Sequence, residues 1–278
     1  MTIRPTIALA NGVEIPRVGF GTFRVDTAET QQVVEQALEA GYRHIDTAAA
    51  YRNEAGVGAA LRASGLRRGE VFVTTKLRNG DQGYQSALRA FENSRAALGV
   101  DVVDLYLIHW PVPSIWLAPE TWRAFERLYD EGAVRAIGVS NFLPEHLDRL
   151  QGAATVVPMV NQVEIHPTCQ QIPTQEASRQ QGITVEAYGS IGRGEDLSEP
   201  VVVRIAAAHQ VSPAQVVLRW HLQQGRVVIS TSVTPQRIVS NLDILGFDLS
   251  DAEMADLTGL ERGRRLYPDP REAAFSQK

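Results

Sequence analysis

Short apolar runs along this chain alternate with amphipathic stretches whose apolar positions recur at helical spacing. The runs at 18–21, 44–46, 71–75, 103–109, 136–139, 159–163, 184–187 and 227–229 read as strands. Segments 28–40, 84–98, 120–131, 144–150, 173–181 and 213–224 carry the helical pattern. Gly41, Gly99, Gly132, Gly182 and Gly225 stand just past helix ends, where a left-handed residue closes the last turn. Leu143-Pro144 and Ser212-Pro213 read as starts, since proline suits the first helical turn. A hairpin, 6–9 with 14–16 around the type I′ dipeptide Asn11-Gly12, precedes the first unit.

Repeated strand–helix units without a Pro/Gly/Ser-rich linker predict an α/β fold. The expectation is a (β/α)8 TIM barrel, residues 1–278 forming one domain, with the N-terminal hairpin and extra helices near the C-terminus. A doubly wound sheet is the rival, and its dinucleotide fingerprint is a strand, then GxGxxG, then a helix. Gly19-Phe20-Gly21 lacks the third glycine, and Gly192 and Gly194 are equally incomplete.

Composition narrows the picture. A formal net charge of -5 gives no electrostatic reason to expect nucleic acid or an anionic membrane. The single Cys169 points to a reducing compartment. The N-terminus carries no apolar signal region, and no apolar run approaches the ~20 residues that span a bilayer. A cytoplasmic protein, monomeric and acting on small molecules, is the expectation. Of the 27 basic residues only Lys76 and Lys278 are lysine. Codon bias explains the arginines, but an internal lysine surviving that bias suggests a position where arginine fails, because lysine is a compact charge that can lose its proton.

In a (β/α)8 barrel the active site lies at the C-terminal strand ends. Those ends present Asp46, with Tyr51 in the following loop, then Lys76, then His109, then Ser140-Asn141, then Gln162. Taken singly, Asp46 could be a cap, Tyr51 a surface aromatic and His109 a packed strand-end histidine. Taken together they form a sensible acid catalyst. Tyrosine, with an ordinary pKa of about 10, is a poor proton donor near neutrality. An ammonium about 4 Å away favours phenolate by about 4 kcal/mol at an effective dielectric near 20. A carboxylate would hold that ammonium charged, and a neutral His109 could orient a carbonyl.

Gly41-Tyr42-Arg43-His44-Ile45-Asp46-Thr47-Ala48, Tyr51-Arg52-Asn53-Glu54, Thr74-Thr75-Lys76-Leu77, the run 104–111 and Gly138-Val139-Ser140-Asn141-Phe142 resemble the signature segments of aldo-keto reductases. The resemblance covers nearly the whole chain and is nearest to the bacterial 2,5-diketo-gluconate reductase branch. It implies an NAD(P)H-dependent carbonyl reductase with Tyr51 as general acid, Lys76 and Asp46 tuning it, and His109 orienting the carbonyl. It also implies that Ser140, Asn141 and Gln162 hold the nicotinamide carboxamide, that Tyr188 stacks on the ring, and that Gly21-Thr22 pass close by. Thr231, Ser232, Arg237 and Asn241 would meet the adenosine phosphate, beside the helix start at Thr234-Pro235.

Two departures stand out. Thr231 replaces the lysine usual in the family, which keeps NADPH first but opens the way to NADH. Arg78 stands where the family usually has an aromatic residue, which makes it either a solvent-facing arginine or a partner for an anionic substrate. Phe23, Trp110 and Trp116 would wall the pocket, and the short polar tail after Arg265 suggests an open site. No metal site is expected, because neither His44-Ile45-Asp46 nor Glu164-Ile165-His166 has ligand spacing. His146, His166, His209 and His221 read as structural. Two other functions compete: a Schiff-base lyase using Lys76, and a non-catalytic nicotinamide-binding regulator.

Overall fold

The computed structural model describes residues 5–273. Eight parallel strands close into a barrel in the order β10-β3-β4-β5-β6-β7-β8-β9. They are β3 (Val18–Gly21), β4 (His44–Asp46), β5 (Phe72–Leu77), β6 (Val103–Ile108), β7 (Val134–Ser140), β8 (Val160–Glu164), β9 (Thr184–Tyr188) and β10 (Val227–Ser230). Every residue of β5 and β6 is buried, as expected for parallel strands covered by helices outside and by side chains within.

The hairpin pairs β1 (Thr6–Ala8) with β2 (Glu14–Pro16). Its turn departs from the expected type I′. Gly12 N–H donates to the Leu9 carbonyl, and Gly12 alone takes a positive φ, 83°. A type I′ turn needs two such residues, so the loop is a three-residue turn closed by glycine.

Around the barrel run α1 (Thr30–Ala40), α2 (Glu54–Ala63), α3 (Tyr84–Leu98), α4 (Ala118–Asp130), α5 (Pro144–Gln151), α6 (Ile172–Gln180), α7 (Pro200–His209), α8 (Pro213–Gln223), α9 (Pro235–Leu242) and α10 (Asp251–Thr258). Sequence periodicity missed α2, whose glycines weaken a helix on paper. Gly58 is there for packing: a Cβ on it would come within 2.3 Å of the Leu98 carbonyl at the end of α3. Ser212 caps α8 by accepting from Gln215 N–H at 3.3 Å, as its Ser-Pro start suggested.

Large side chains such as Tyr42, Phe91, Tyr106, Trp122, Phe125 and Trp220 are fully buried. The barrel interior is instead polar near its C-terminal end. Because side chains alternate along a strand, His44 and Asp46 share one face of β4, and Thr74 and Lys76 share one face of β5. Register then sets Ser140 beside Gln162, and Gln162 beside Glu186. Among the described residues no single helix is long and apolar enough to cross a membrane.

Candidate active site

Lys76 sits one layer below the mouth, inside β5 rather than at its end, and is completely buried. Its Nζ donates to Asp46 Oδ1 at 2.6 Å and to the Thr47 carbonyl at 2.9 Å. Above it lies Tyr51, which closes a 3-10 turn (Ala49–Tyr51) after β4, with its ring centroid 5.2 Å from Nζ. His109 follows β6 and meets the Tyr51 ring edge-on at 5.6 Å. The four side chains named from the sequence therefore stand together, three at the barrel mouth and Lys76 just beneath them.

Their electrostatics differ from the sequence argument in one respect. Burial pushes the Tyr51 phenol up to about 12, and the opposing pull of Lys76 does not cancel it. The expectation of a tyrosine lowered by its lysine counted the ion pair and left out desolvation. Burial also pulls on the Lys76 ammonium, but Asp46, Tyr51 and Glu186 together hold its pKa above the ordinary value. Burial drives His109 well below its usual range, with Lys76 adding to the effect. The site thus holds a protonated phenol, a locked cation and a neutral imidazole. His109 Nδ1 is buried without a partner.

A cleft of about 1140 Å³ opens above these groups. It exceeds the ~300–1,000 Å³ of ordinary ligand pockets and so has room for a dinucleotide beside a substrate. Asp46, Tyr51, His109, Gly21, Ser140, Asn141, Gln162, Tyr188, Thr231, Ser232, Arg237, Asn241, Phe23 and Trp110 all line it. Gly21 is needed there, since a Cβ would come within 2.7 Å of both Ile229 Cγ2 and Thr231 Oγ1.

Four expected residues do not line the cleft. Lys76 lies beneath it, paired with Asp46. Arg78 turns away to pair with Asp81 at 2.7 Å, and Asp81 satisfies the charge that would have met a substrate. Trp116 packs on Phe142 and His146 with the Arg149 guanidinium 3.9 Å from its ring. Thr22 is fully buried, its hydroxyl bonded to Thr47 Oγ1 at 2.9 Å, and it braces the strand ends from behind.

The sequence argument also missed several residues. Glu186 lies buried beside Gln162, and its place two residues before Tyr188 in a buried strand was the available clue. Arg24, Arg52 and Arg193 line the mouth, each in a left-handed backbone conformation. Tyr267 and Pro268 line it as well, so the tail reaches the site instead of leaving it open. Tyr267 stands edge-on to Tyr188 at 5.0 Å, under the Arg193 guanidinium.

Ligand atoms of Glu164, His166 and Cys169 fall within 4.8 Å of one another. Their chemistry suits a salt bridge better than a metal. Although burial opposes it, hydrogen bonds to Asp196 and Glu164 raise His166 to about 9, which commits both ring nitrogens as donors. Burial pushes the Cys169 thiol up to about 12, far from thiolate.

Residues 17–262 match the model of the Aldo/keto reductase family. The chain belongs to the aldo/keto reductase family, and it is an oxidoreductase. It is 48% identical to morphine 6-dehydrogenase of Pseudomonas putida, over 98% of this chain and 96% of that one. Glyoxal reductase of Bacillus subtilis is 45% identical, over 99% of each. A crystal structure of a Gox0644 mutant in complex with NADPH superposes with a TM-score of 0.94 at 44% identity, covering 97% of this chain and 98% of that one. These likenesses establish the family and do not single out the 2,5-diketo-gluconate reductase branch.

Proposed function

We propose that this aldo-keto reductase reduces small aldehydes, ketones or keto acids and sugars with NADPH, using Tyr51 as the proton donor. The observation that carries the reading is a phenol at the floor of a large cleft, over a buried Lys76–Asp46 pair whose cation opposes the effect of burial on it, and against a neutral His109. A bound reduced nicotinamide supplies the hydride that goes to the carbonyl carbon. Tyr51 gives its hydroxyl proton to the carbonyl oxygen, and Lys76 stabilises the phenolate left behind. His109 orients the carbonyl as a neutral donor.

Ser140, Asn141 and Gln162 are the residues for the carboxamide, with Tyr188 against the ring. Thr231, Ser232, Arg237 and Asn241 are those for the adenosine phosphate, next to the N-terminus of α9, which has no side-chain cap. With Thr231 in place of a lysine, NADH also serves. The protein works as a single-domain monomer in the cytoplasm.

Lys76 as a Schiff-base nucleophile fits poorly. It is fully buried, stays charged beside Asp46, and does not line the cleft. The test is loss of reduced-nicotinamide absorbance with NADPH and NADH over neutral and anionic carbonyl compounds, with Tyr51→Phe as control. Tyrosine-dependent turnover supports the reductase. Cofactor binding with no turnover across the panel supports the regulator, and borohydride trapping of a lysine adduct supports the lyase.

A further inference from the structure

Glu186 is fully buried in the middle of β9, and beyond its electrostatic effect on Lys76 it has no part in the chemistry described so far. A buried carboxyl is costly unless it is bonded on all sides. Glu186 is not, because its Oε1 has no hydrogen-bond partner. The nearest cationic candidate, His44 Nε2, stands 3.8 Å away. That ring is no counter-ion: burial pulls it down to about 4, and its nitrogens are taken by the Pro16 carbonyl and Thr74 Oγ1. Lys76 is committed to Asp46 and the Thr47 carbonyl. A leucine would fill the same space at lower cost. The one bond Glu186 makes is therefore the place to look for its use.

That bond goes to Gln162. The Gln162 Nε2 donates to Glu186 Oε2 at 2.8 Å and to Asp46 Oδ2 at 2.8 Å. An amide nitrogen has two hydrogens, so both are spent below the cleft. What Gln162 has left to present upward is its carbonyl oxygen. The reverse orientation would set that oxygen against the Asp46 carboxyl, which already accepts from Lys76, so acceptor would face acceptor. Asp46 alone fixes one hydrogen and leaves the amide free to swing about that bond. The second carboxyl removes the swing.

We infer that Glu186 is a positioning residue of the nicotinamide subsite: together with Asp46 it locks the Gln162 amide so that Oε1 faces the cleft as an acceptor for a ligand N–H. This rests on the reading of Gln162 as a partner of the cofactor's carboxamide. It adds a direction to that contact, in which the ligand's NH2 group donates and the protein accepts. Burial and the neighbouring Asp46 push the Glu186 carboxyl up to about 8, a direction that favours the uncharged acid, which still accepts through its second oxygen. The groups facing it are Asp46, Lys76, Gln162 and His44.

The test compares NADP⁺ with its 3-acetylpyridine analogue, which keeps the ring carbonyl and lacks the NH2 donor. Dissociation constants are read from tryptophan fluorescence for the wild type, Glu186→Leu and Glu186→Gln, all checked for folding by thermal melting. The wild type should prefer the carboxamide by about tenfold, the equivalent of one lost ligand hydrogen bond. Glu186→Leu should reduce that preference to about twofold. Glu186→Gln, which keeps an acceptor oxygen, should restore most of it. A ratio of dissociation constants is insensitive to the active fraction, so a merely weakened fold does not mimic the result. If Glu186→Leu keeps the full preference, or if Leu and Gln abolish it alike, the positioning role is wrong. A wild type that binds both cofactors equally well would overturn the carboxamide contact itself.

Discussion

Two buried ionic clusters meet on β8, which carries Gln162 of one and Glu164 of the other, and they are built on opposite terms. His166 is saturated: its Nδ1 meets Asp196 Oδ2 at 2.8 Å and its Nε2 meets Glu164 Oε1 at 3.2 Å. Its partners are bonded in turn. Asp196 Oδ1 accepts from Thr168 Oγ1 at 2.9 Å, and Glu164 Oε1 accepts from Leu266 N–H at 2.6 Å. The cluster at the mouth is left unfinished, with His109 Nδ1 and Glu186 Oε1 unpartnered and a phenol raised to about 12. Full satisfaction makes a joint, and here it pins the segment that brings Tyr267 to the cleft. Incomplete satisfaction leaves groups for a ligand to complete.

The largest expected effect separates the two by function. Tyr51→Phe removes the only hydroxyl in the proposed proton transfer, so kcat should fall by 10²–10⁴, roughly 3–5 kcal/mol of barrier, with the melting temperature nearly held. A variant that keeps most of its turnover would assign the proton to another group.

His166→Leu should do the reverse. It strips the shared cation from two buried carboxylates, and breaking a buried pair in this way costs about 3–5 kcal/mol of stability. Urea melts measure this loss, and the folded fraction should still bind NADPH. A drop of less than about 1 kcal/mol would mean that Arg265, 3.6 Å from Glu164, already carries the joint.

Titration sharpens the contrast. His166 is raised from 6.5 to about 9, so its stabilisation is complete below 6.5 and is lost as pH climbs through about 9. Glu186 is raised from 4.5 to about 8. The unfolded chain gives up that proton first, so stability drains away as pH rises from about 4.5 to about 8. Glu186→Gln should flatten the lower of these two windows in a melting-temperature profile and leave the upper one. Two unchanged windows would mean that Glu186 titrates normally.

What the sequence showed and hid follows the same division. The strands, the barrel they imply and the residues at strand ends were legible because short apolar runs and helix stops are local signals. Asp46, Tyr51 and His109 were found by that rule, and the helix α2 was missed because Gly58 serves a contact with Leu98, 40 positions away. Arg78 was left open between solvent and substrate and Trp116 was set in the pocket wall, because the nearer partners Asp81 and Arg149 are revealed by no pattern of apolar spacing. Tyr51 was assigned the wrong direction of shift because charge is visible in a sequence and desolvation is not. Glu186 escaped for the same reason. Its environment is set by β8, its sheet neighbour, and by β4, which only closure of the barrel brings near β9.

The smallest effect belongs to the rim, where water screens what the interior does not. Thr231 is exposed at the end of β10 and lines the cleft just before α9. The first N–H groups of α9 lack a side-chain cap from Thr234, and Arg237 stands exposed one turn in. An anion there already meets a helix N-terminus and a guanidinium, so a lysine at 231 adds one more cation to a solvated site. Exposed pairs of this kind are worth about 0.2–1 kcal/mol. Thr231→Lys should therefore tighten NADPH by only about two- to fivefold and leave NADH nearly unmoved, with the gain shrinking as salt is raised. Equal tightening of both cofactors would place residue 231 against the diphosphate they share. No change in either would mean that the 2′-phosphate is held elsewhere along the rim.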